Sequence, residues 1–257
     1  MNDIAKPDTV CFNYGGGRQT VAMCIMIAKG ILPRPNVITM ADTAREMPTT
    51  WDYLNKYTQP LMQSLGLEIE IASHDLATVD THSHRGTLLL PVYTPTGKFS
   101  SYCSGEWKRD VVERHRKQIN GIKKGIIWLG LAYDEKRRWT RSRGTERHGF
   151  RVECPLVDLE IDTETCLKLI ADYGWPEPSV SRCHMCPNQR NEEWREVRDN
   201  YPELFEQACL EDEEERAADE AGGVFFHHSR VPLREADLGD KESREIEKTC
   251  SLGQCFV

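Results

Sequence analysis

The chain has 257 residues, of which 39% are hydrophobic and 29% charged, and its formal net charge is −8 at pH 7. This size and apolar content suffice for one large domain, or a domain with an appendage, and the negative charge argues against a surface that coats nucleic acid uniformly. We find neither a secretion signal nor an apolar run of the roughly 20 residues that span a bilayer, so we expect a soluble, cytoplasmic protein.

A glycine-rich turn follows the first β-prone run, residues 9–13, and precedes an apolar helical stretch at 21–28. The turn reads Tyr14-Gly15-Gly16-Gly17-Arg18-Gln19-Thr20. Three glycines let a backbone approach an anion closely, and the following helix directs unsatisfied N–H groups and its positive dipole end to the same place. This segment predicts either a phosphate-binding turn or a flexible turn that only joins strand to helix.

Strand-like and helical runs then alternate along the chain. Further strands are predicted at 36–41, 68–72 and 125–131, and helices at 49–64 and 105–118. This order favours an α/β fold, namely a Rossmann-like parallel sheet with helices on both faces. The loops 14–19, 42–46 and 132–138 each follow a strand, so we expect them to meet at the carboxyl edge of the sheet, where such folds bind ligands.

The rest of the chain is predicted to be mainly helical. Helices are expected at 188–200 and 202–221, the second with an acidic exposed side, and a polar tail follows. We therefore divide the chain into an α/β domain, 1–160, and a helical region, 161–257, that carries a CxxC and ends in a flexible cysteine-containing tail.

Two further segments, like the glycine turn, resemble motifs of known protein families. They read Ala41-Asp42-Thr43-Ala44-Arg45-Glu46-Met47-Pro48 and Gly130-Leu131-Ala132-Tyr133-Asp134-Glu135-Lys136-Arg137-Arg138. The glycine turn resembles the PP-loop of adenine nucleotide α-hydrolases. The other two segments are similar to the Asp-Thr-Gly-x-Glu-x-Pro and Gly-x-Arg-x-x-Glu-x-x-Arg segments of the phosphoadenylyl-sulfate (PAPS) reductase-like branch. Together the three segments cover roughly the first 155 residues.

This resemblance implies a bound adenine nucleotide, either ATP or an adenylylated sulfate, with magnesium as a candidate companion. It places Asp42 and Glu46 near the nucleotide in catalytic roles. The nucleotide-binding residues that it implies are Tyr14, Gly15, Gly16, Gly17, Arg18, Gln19, Thr20, Asp42, Thr43, Gly130, Arg137 and Arg138.

Two features modify this interpretation. Gly15 stands where the usual PP-loop has its first serine, and Gln19 where it has aspartate, although glutamine is familiar in the sulfate-reductase branch.

A basic stretch can supply bidentate phosphate or sulfate contacts, or it is a solvated surface loop. Its members are Lys136, Arg137, Arg138, Arg141, Arg143 and Arg147.

The 10 cysteines indicate buried thiols, metal ligands or a reactive thiol, because disulfides are rare in a chain of this type. Cys183-His184-Met185-Cys186 is a CxxC, which suits a redox pair or half of a zinc or iron–sulfur site. The segment from Cys103 to Lys108 resembles the Cys-Cys-x-x-x-Lys segment of adenylyl-sulfate reductases, which shares a 4Fe-4S cluster with a downstream CxxC.

That resemblance implies a 4Fe-4S cluster, with zinc as the alternative, held by Cys103, Cys183 and Cys186. Ser104 replaces the second cysteine of the family segment. The fourth position is therefore open or is filled by Cys154, Cys250 or Cys255. The remaining alternative is that these residues are partly buried thiols without a metal.

Two classes of function follow. The first is an enzyme that performs ATP-dependent sulfur transfer or thiolation, for example of nucleic acid, beside the cluster. Its variant is an adenylyl-sulfate or PAPS reductase that uses Cys250 of the tail as nucleophile. The second class is a non-catalytic nucleotide-sensing module, which the altered PP-loop suggests. Expected partners are an adenine nucleotide and a nucleic-acid or protein partner in sulfur transfer; no membrane is expected, and the oligomeric state stays open.

Overall fold

A computed structural model describes residues 9–73, 80–83, 85–219 and 223–239. Its strands are β1 (Val10–Asn13), β2 (Val37–Ala41), β3 (Ile69–Ala72), β4 (Tyr93–Thr94), β5 (Gly97–Lys98), β6 (Gly125–Leu129), β7 (Glu146–Arg147) and β8 (Phe150–Glu153). Six of them form one sheet in the order β3-β2-β1-β6-β8-β7, while β4 and β5 form a separate hairpin. All neighbours in the large sheet are parallel except β7, which pairs antiparallel with β8 at the edge.

The helices lie between and after the strands. They are α1 (Arg18–Ala28), α2 (Pro48–Tyr53), α3 (Gln59–Ser64), α4 (Asp110–Gln118), α5 (Lys136–Ser142), α6 (Pro155–Asp158), α7 (Thr163–Asp172), α8 (Asn191–Asn200) and α9 (Pro202–Ala218). A π-helical turn, Leu54–Thr58, joins α2 to α3, and a second one, Ser104–Arg109, leads into α4. Within the described ranges, none of these helices is long and apolar enough to cross a membrane.

The predicted α/β class is confirmed by the sheet order. The chain winds outward from β1 through β2 to β3, then returns to the other side of β1 as β6 and continues to β8. The order therefore reverses between β1 and β6, which is the switch point where doubly wound sheets bind ligands. The glycine turn leaves β1 at this point.

Apolar side chains on both faces of the strands explain why the sheet is covered on both sides. On one face, Phe12 and Ile38 are fully buried in a core that includes most of α1. On the other face, Val111 and Val112 of α4 pack against alanines at the ends of β2 and β3. Parallel strands buried on both faces are expected to show continuous apolar runs, as they do here.

The predicted helix 49–64 is helical throughout but contains the π turn. Pro60 lies in the second half of this stretch, and it has no N–H to donate to the preceding turn. A local change from α to π hydrogen bonding accommodates such a gap. The predicted strand 125–131 ends two residues early at Leu129, immediately before Gly130.

A second core lies beside the sheet. It combines the stretch before α4, the CxxC, α8, α9 and the segment 224–238, with Trp107, Met185, Trp194 and Phe226 among its buried members. The domain boundary at residue 160 stays a prediction. In the structure, α7 follows that boundary and packs against α1 of the sheet layer, while part of the first half contributes to the second core.

One buried carboxylate joins the last described segment to α9. The Asp212 side chain is 0% exposed and accepts hydrogen bonds from the backbone N–H groups of Phe226 (2.7 Å) and Leu233 (3.0 Å). It also forms an ion pair with Arg216 at 2.5 Å. These contacts satisfy two buried N–H groups that would otherwise have lost their water partners.

We expect Asp212→Ala to lower the free energy of unfolding by about 3 kcal/mol, because it leaves two buried N–H groups and one guanidinium without their acceptor. Urea unfolding measures the change. Glu213→Ala is the control on the same helix, since Glu213 pairs with Arg234 at the surface, and we expect it to cost less than about 1 kcal/mol. Equal losses for the two variants would contradict this role of Asp212.

Candidate functional site

The glycine turn lies at the switch point and is tightly built. Gly16 has a φ of +73°, and a Cβ there would lie 2.5 Å from Cγ2 of Thr50. A Cβ on Gly130, just after β6, would likewise lie 2.5 Å from Cγ2 of Thr20 in the first turn of α1. Glycine is required at Gly16 because its φ is positive and a Cβ would meet α2, and at Gly130 because the loop after β6 closely approaches the first turn of α1 across the switch point.

Several groups of the turn are already engaged in the protein. The N–H of Tyr14 donates to the carbonyl of Thr39, and the Tyr14 hydroxyl lies 2.9 Å from Oγ1 of Thr58 in the core. The hydroxyl of Thr20 donates to the carbonyl of Gly17 at 3.0 Å. Both hydroxyls are therefore engaged within the protein, and the nucleotide-binding roles of Tyr14 and Thr20 stay predictions.

The backbone amides of residues 15–20 carry the anion-binding potential instead. They precede Val21, whose N–H makes the first backbone bond of α1 to Gly17, and they have no acceptor among the described residues. Gly17 begins the helix with a φ of −91°, and a Cβ there would meet no atom closer than Oε1 of Gln19, at 3.9 Å. Unpaired amides at a helix N-terminus form an anion site.

Side chains around the turn connect it to its neighbours. Nε2 of Gln19 donates to Oγ1 of Thr163 (3.5 Å), whose hydroxyl donates to Asp134 (3.0 Å). Arg18 forms an ion pair with Glu177 at 2.5 Å. Gln19 therefore contacts the loop after β6 through Thr163 at the start of α7.

The basic stretch forms α5 and its surroundings rather than a loop. Arg138 pairs with Glu135, and Arg143 with Asp158. Arg147 lies within reach of acidic groups of α4. Arg137 is exposed and makes no ion pair in the described part of the chain. The anion-binding role of this stretch stays a prediction.

Glu46 is the most enclosed acid near the turn. Its side chain is 1% exposed and forms an ion pair with Lys108 at 3.2 Å. Oε1 of the same carboxylate accepts hydrogen bonds from Ser181 (2.7 Å) and Thr50 (3.3 Å). Gly16 packs against Thr50, and a Cβ on Gly16 would also come within 3.9 Å of Ser181. The carboxylate thus connects the glycine turn with the segment that leads into the CxxC.

The CxxC is held against the loop 42–47 by backbone pairing. Glu46 and Cys183 form an isolated antiparallel β-bridge. The N–H of Met47 donates to the carbonyl of Arg182, and the N–H of His184 donates to that of Arg45. Residues 45–47 and 182–184 are therefore a short two-stranded ribbon, which the sequence did not indicate because its two halves are so far apart.

Two of the three predicted cluster thiols lie together. Cys103 and Cys183 both pack against the second core. Burial raises the pKa of the Cys183 thiol to about 12; the charge of Lys108 opposes this rise, whereas those of Glu46 and Cys103 add to it. Thr43 Oγ1 lies 3.8 Å from the sulfur of Cys183. Such a thiol is protonated and unreactive at neutral pH unless a metal or cation stabilises the thiolate.

Cys186 lies on the hairpin side of the CxxC. The pKa of Tyr93 is raised to about 12, mainly by burial and to a smaller extent by the charge of Cys186. Nζ of Lys98 donates to the Tyr93 hydroxyl at 2.9 Å and to Asn188 at 2.5 Å. Within the residues that the structure describes, no three acidic, histidine or cysteine side chains are arranged to hold a metal ion.

The donor chemistry nevertheless suits a sulfur-ligated metal group. Soft thiolates in apolar surroundings are the usual ligands of iron–sulfur clusters. Beside Cys103, the hydroxyl of Ser104 is buried without a hydrogen-bond partner in the described chain. An unsatisfied buried hydroxyl is uncommon and is consistent with a missing polar or metal-bound partner.

The other predicted site residues are placed as follows. Oδ1 of Asp42 accepts the N–H of Ala44 at 2.7 Å in a local turn, at the carboxyl end of β2. Cys154 is fully buried with Leu129 and Val157, in a cluster separate from that of Cys103 and Cys183. Burial raises the pKa of Cys154 to about 12. The structure therefore gives no support to Cys154 as a cluster ligand, and Cys250 and Cys255 lie outside the described residues.

Comparison with known proteins finds similarity among solved structures only. No protein-family model matches the sequence, and no curated protein sequence does either. The chain is similar to the solved structure of the U34-tRNA thiolase NcsA from Methanococcus maripaludis with its 4Fe-4S cluster, at 14% identity and a TM-score of 0.46. That similarity covers 99% of this chain and 83% of the thiolase chain.

We expect Lys108→Met to destabilise the protein by about 3 kcal/mol, because it leaves the buried Glu46 carboxylate without its counter-ion. Adding Glu46→Gln should recover part of the loss, since an amide is less costly to bury than an unpaired charge. Urea unfolding of the two single variants and the double variant measures the coupling. Additive losses would show that the pair does not interact.

Proposed function

We propose that this protein is an adenine-nucleotide-dependent sulfur-transfer enzyme of the PP-loop type. The observation that carries the proposal is the Glu46 network, which connects the glycine turn at the switch point to the segment holding Cys183. The sequence resemblance of residues 14–20 and 41–48 to PP-loop proteins supports the nucleotide, and the cysteine pattern supports the sulfur chemistry.

In this proposal the amides of the glycine turn bind the nucleotide phosphates. The positive end of α1 and the close backbone approach favour an anion at that place. An oxygen of the acceptor attacks the α-phosphate of ATP and pyrophosphate leaves. A sulfur nucleophile then replaces the adenylated oxygen and AMP leaves. The acceptor for which we propose this reaction is a nucleic acid.

Cys103, Cys183 and Cys186 would hold a 4Fe-4S cluster in the same proposal. When bound, such a cluster supplies an iron that can hold sulfur for transfer. Lys108 keeps a positive charge beside Cys183, which favours its thiolate form. Cys103 and Cys183 pack on the apolar second core and are partly buried, which reduces their contact with water.

The proposal is tested by incubating anaerobically prepared, iron-loaded protein with ATP, sulfide and bulk RNA. We expect AMP, pyrophosphate and sulfur-containing nucleosides, detected by mass spectrometry, only when ATP is present. Nucleotide binding without turnover on any nucleic acid would contradict the enzyme and favour a nucleotide-sensing module.

We expect Gly17→Ala to weaken ATP binding at least about tenfold, because its methyl group occupies the anion approach at the helix N-terminus. The protein itself has room for this Cβ, so the melting temperature should not change. Gly97→Ala in the hairpin is the matched control, since a Cβ on Gly97 meets no atom within 4 Å and a Cβ on Gly17 meets only Oε1 of Gln19, at 3.9 Å. If calorimetry shows that Gly17→Ala binds ATP with unchanged affinity, the glycine turn does not bind the phosphates.

We expect Cys103→Ser, Cys183→Ser and Cys186→Ser each to lose most of the iron, because hydroxyl groups are poor ligands for iron–sulfur clusters. Cys154→Ser is the control and should retain it, since Cys154 packs in a separate apolar cluster. Iron and sulfide analysis of the anaerobically purified variants measures the outcome. Full iron content in a Cys183→Ser, Cys186→Ser double variant would exclude the CxxC as a ligand pair.

A further inference from the structure

Two aromatic side chains, Tyr133 and Trp139, lie stacked just after β6, and we call them the aromatic pair. Their rings are nearly parallel, with an angle of 19° between the planes and 6.3 Å between the centroids. Trp139 is partly buried and packs against the apolar cluster that contains Leu129 and Val157. Tyr133 is 45% exposed. A tyrosine that stacks on a neighbour and stays nearly half exposed keeps ring surface for a further planar group.

Hydrogen bonds hold the aromatic pair in place. Nε1 of Trp139 donates to the carbonyl of Tyr133 at 2.9 Å, and the N–H of Tyr133 donates to the carbonyl of Ile161 at 2.8 Å. The carboxylate of the next residue, Asp134, accepts both the N–H and the hydroxyl of Thr163, each at 3.0 Å. Because the loop is fixed before any ligand arrives, binding costs little conformational entropy.

The aromatic pair belongs to the same edge of the sheet as the glycine turn. Thr163, which bonds to Asp134, also accepts a hydrogen bond from Gln19 of that turn at 3.5 Å. The glycine turn follows β1 and the loop of the pair follows β6, so the two flank the switch point at the carboxyl edge. We therefore expect a group stacked on Tyr133 to lie beside the candidate nucleotide site.

Positive charge surrounds the aromatic pair. Residues 136–145 contain five cations and no acid, and two of the five form ion pairs with acids elsewhere. Lys136 and Arg137 are exposed and form no ion pair within the described ranges. Arg141 is exposed one turn after Arg137, on the same side of α5. This local excess of positive charge, in a chain with a net charge of −8, favours a ligand with several negative charges.

We propose that the aromatic pair and the cations of α5 bind a single-stranded segment of the nucleic acid that accepts sulfur. An unpaired base stacks on Tyr133, while Lys136 and Arg137 contact the neighbouring phosphates. A duplex keeps its base faces covered and cannot use the ring in this way. The inference rests on the proposed function, since it names the surface on which the acceptor binds.

The test is fluorescence anisotropy of the full chain with a labelled oligouridylate of about 12 nucleotides, a length in the range of single-strand binding sites. We expect saturable binding, and about tenfold weaker binding to Tyr133→Ala, because one stacking contact between base and ring is lost. Tyr133→Phe keeps the ring and should bind as the unchanged protein does. An unchanged melting temperature of Tyr133→Ala shows that the variant is folded.

The salt dependence of the same binding tests the cations. Each phosphate contact of a single strand contributes about 0.7 to the slope of log affinity against log salt concentration. A Lys136→Gln, Arg137→Gln double variant should therefore lower that slope by about 1.4. Arg34→Gln is the control, since Arg34 is exposed in the loop before β2, at the opposite edge of the sheet. It should leave the slope unchanged.

Three results overturn the inference. They are unchanged affinity of Tyr133→Ala for the single strand, equal affinity of the unchanged protein for a duplex of the same length, and displacement of the single strand by ATP. The last result would assign the ring to the adenine of the nucleotide.

Failure of this inference is distinguishable from failure of the proposed function, because strand binding needs neither the cluster nor turnover. Weaker strand binding by Tyr133→Ala, with no sulfur transfer by the unchanged protein, supports the surface and contradicts the enzyme. Sulfur transfer to RNA with the same KM in Tyr133→Ala and the unchanged protein supports the enzyme and overturns the surface.

Discussion

The buried carboxylate of Glu46 is the interaction on which the candidate site depends. One of its oxygens faces Lys108, and the other accepts hydrogen bonds from Ser181 and Thr50. Lys108 belongs to the turn that carries Cys103, Ser181 precedes the CxxC, and Thr50 supports the glycine turn. Three segments that are distant in sequence are thereby fixed to one charged group. Its burial is tolerated because ionic and hydrogen-bonding partners replace the lost water.

The sheet order explains why this network lies where it does. The glycine turn leaves the sheet at the switch point between β1 and β6, and the loop with Glu46 leaves it at the end of β2. Both loops emerge at the carboxyl edge, so we expect a ligand bound by the amides of α1 to lie near Glu46. The second core then holds the thiols against the same edge from outside the sheet.

The sequence predicted the elements whose signal is local. Alternating apolar runs indicated the parallel strands β1, β2, β3 and β6, and the glycine triplet indicated the turn at the switch point. The strands β7 and β8 were not predicted. β7 has only two residues, and β8 has only four, although its alternation of apolar and charged side chains is the pattern of a half-buried strand. Strands and helices are recognised in a sequence by the regular spacing of their buried apolar residues, and a strand of two residues is too short to show such spacing.

The contacts that build the site were harder to predict. Neither the bond from Ser181 to Glu46 nor the pairing of Glu46 with Cys183 has a local signature, because each joins residues more than 130 positions apart. Cys154 is a second example of a placement that the sequence did not indicate. Its residue type suited a metal ligand, but tertiary packing places it in an apolar cluster at the end of β8. Spacing along the chain therefore indicated the CxxC but could not select its third and fourth partners.

The central claim is that the glycine turn and the thiols form one site. It is tested most directly by the rate at which iodoacetamide alkylates each cysteine of the metal-free protein, with and without saturating ATP. Because burial keeps these thiols largely protonated, the slow reaction is followed over hours at raised pH by mass spectrometry. The account predicts that ATP changes the rates at Cys103 and Cys183 and leaves the rate at Cys154 unchanged. Equal rates at Cys103 and Cys183 with and without bound ATP would contradict it, and so would the same change at all three cysteines.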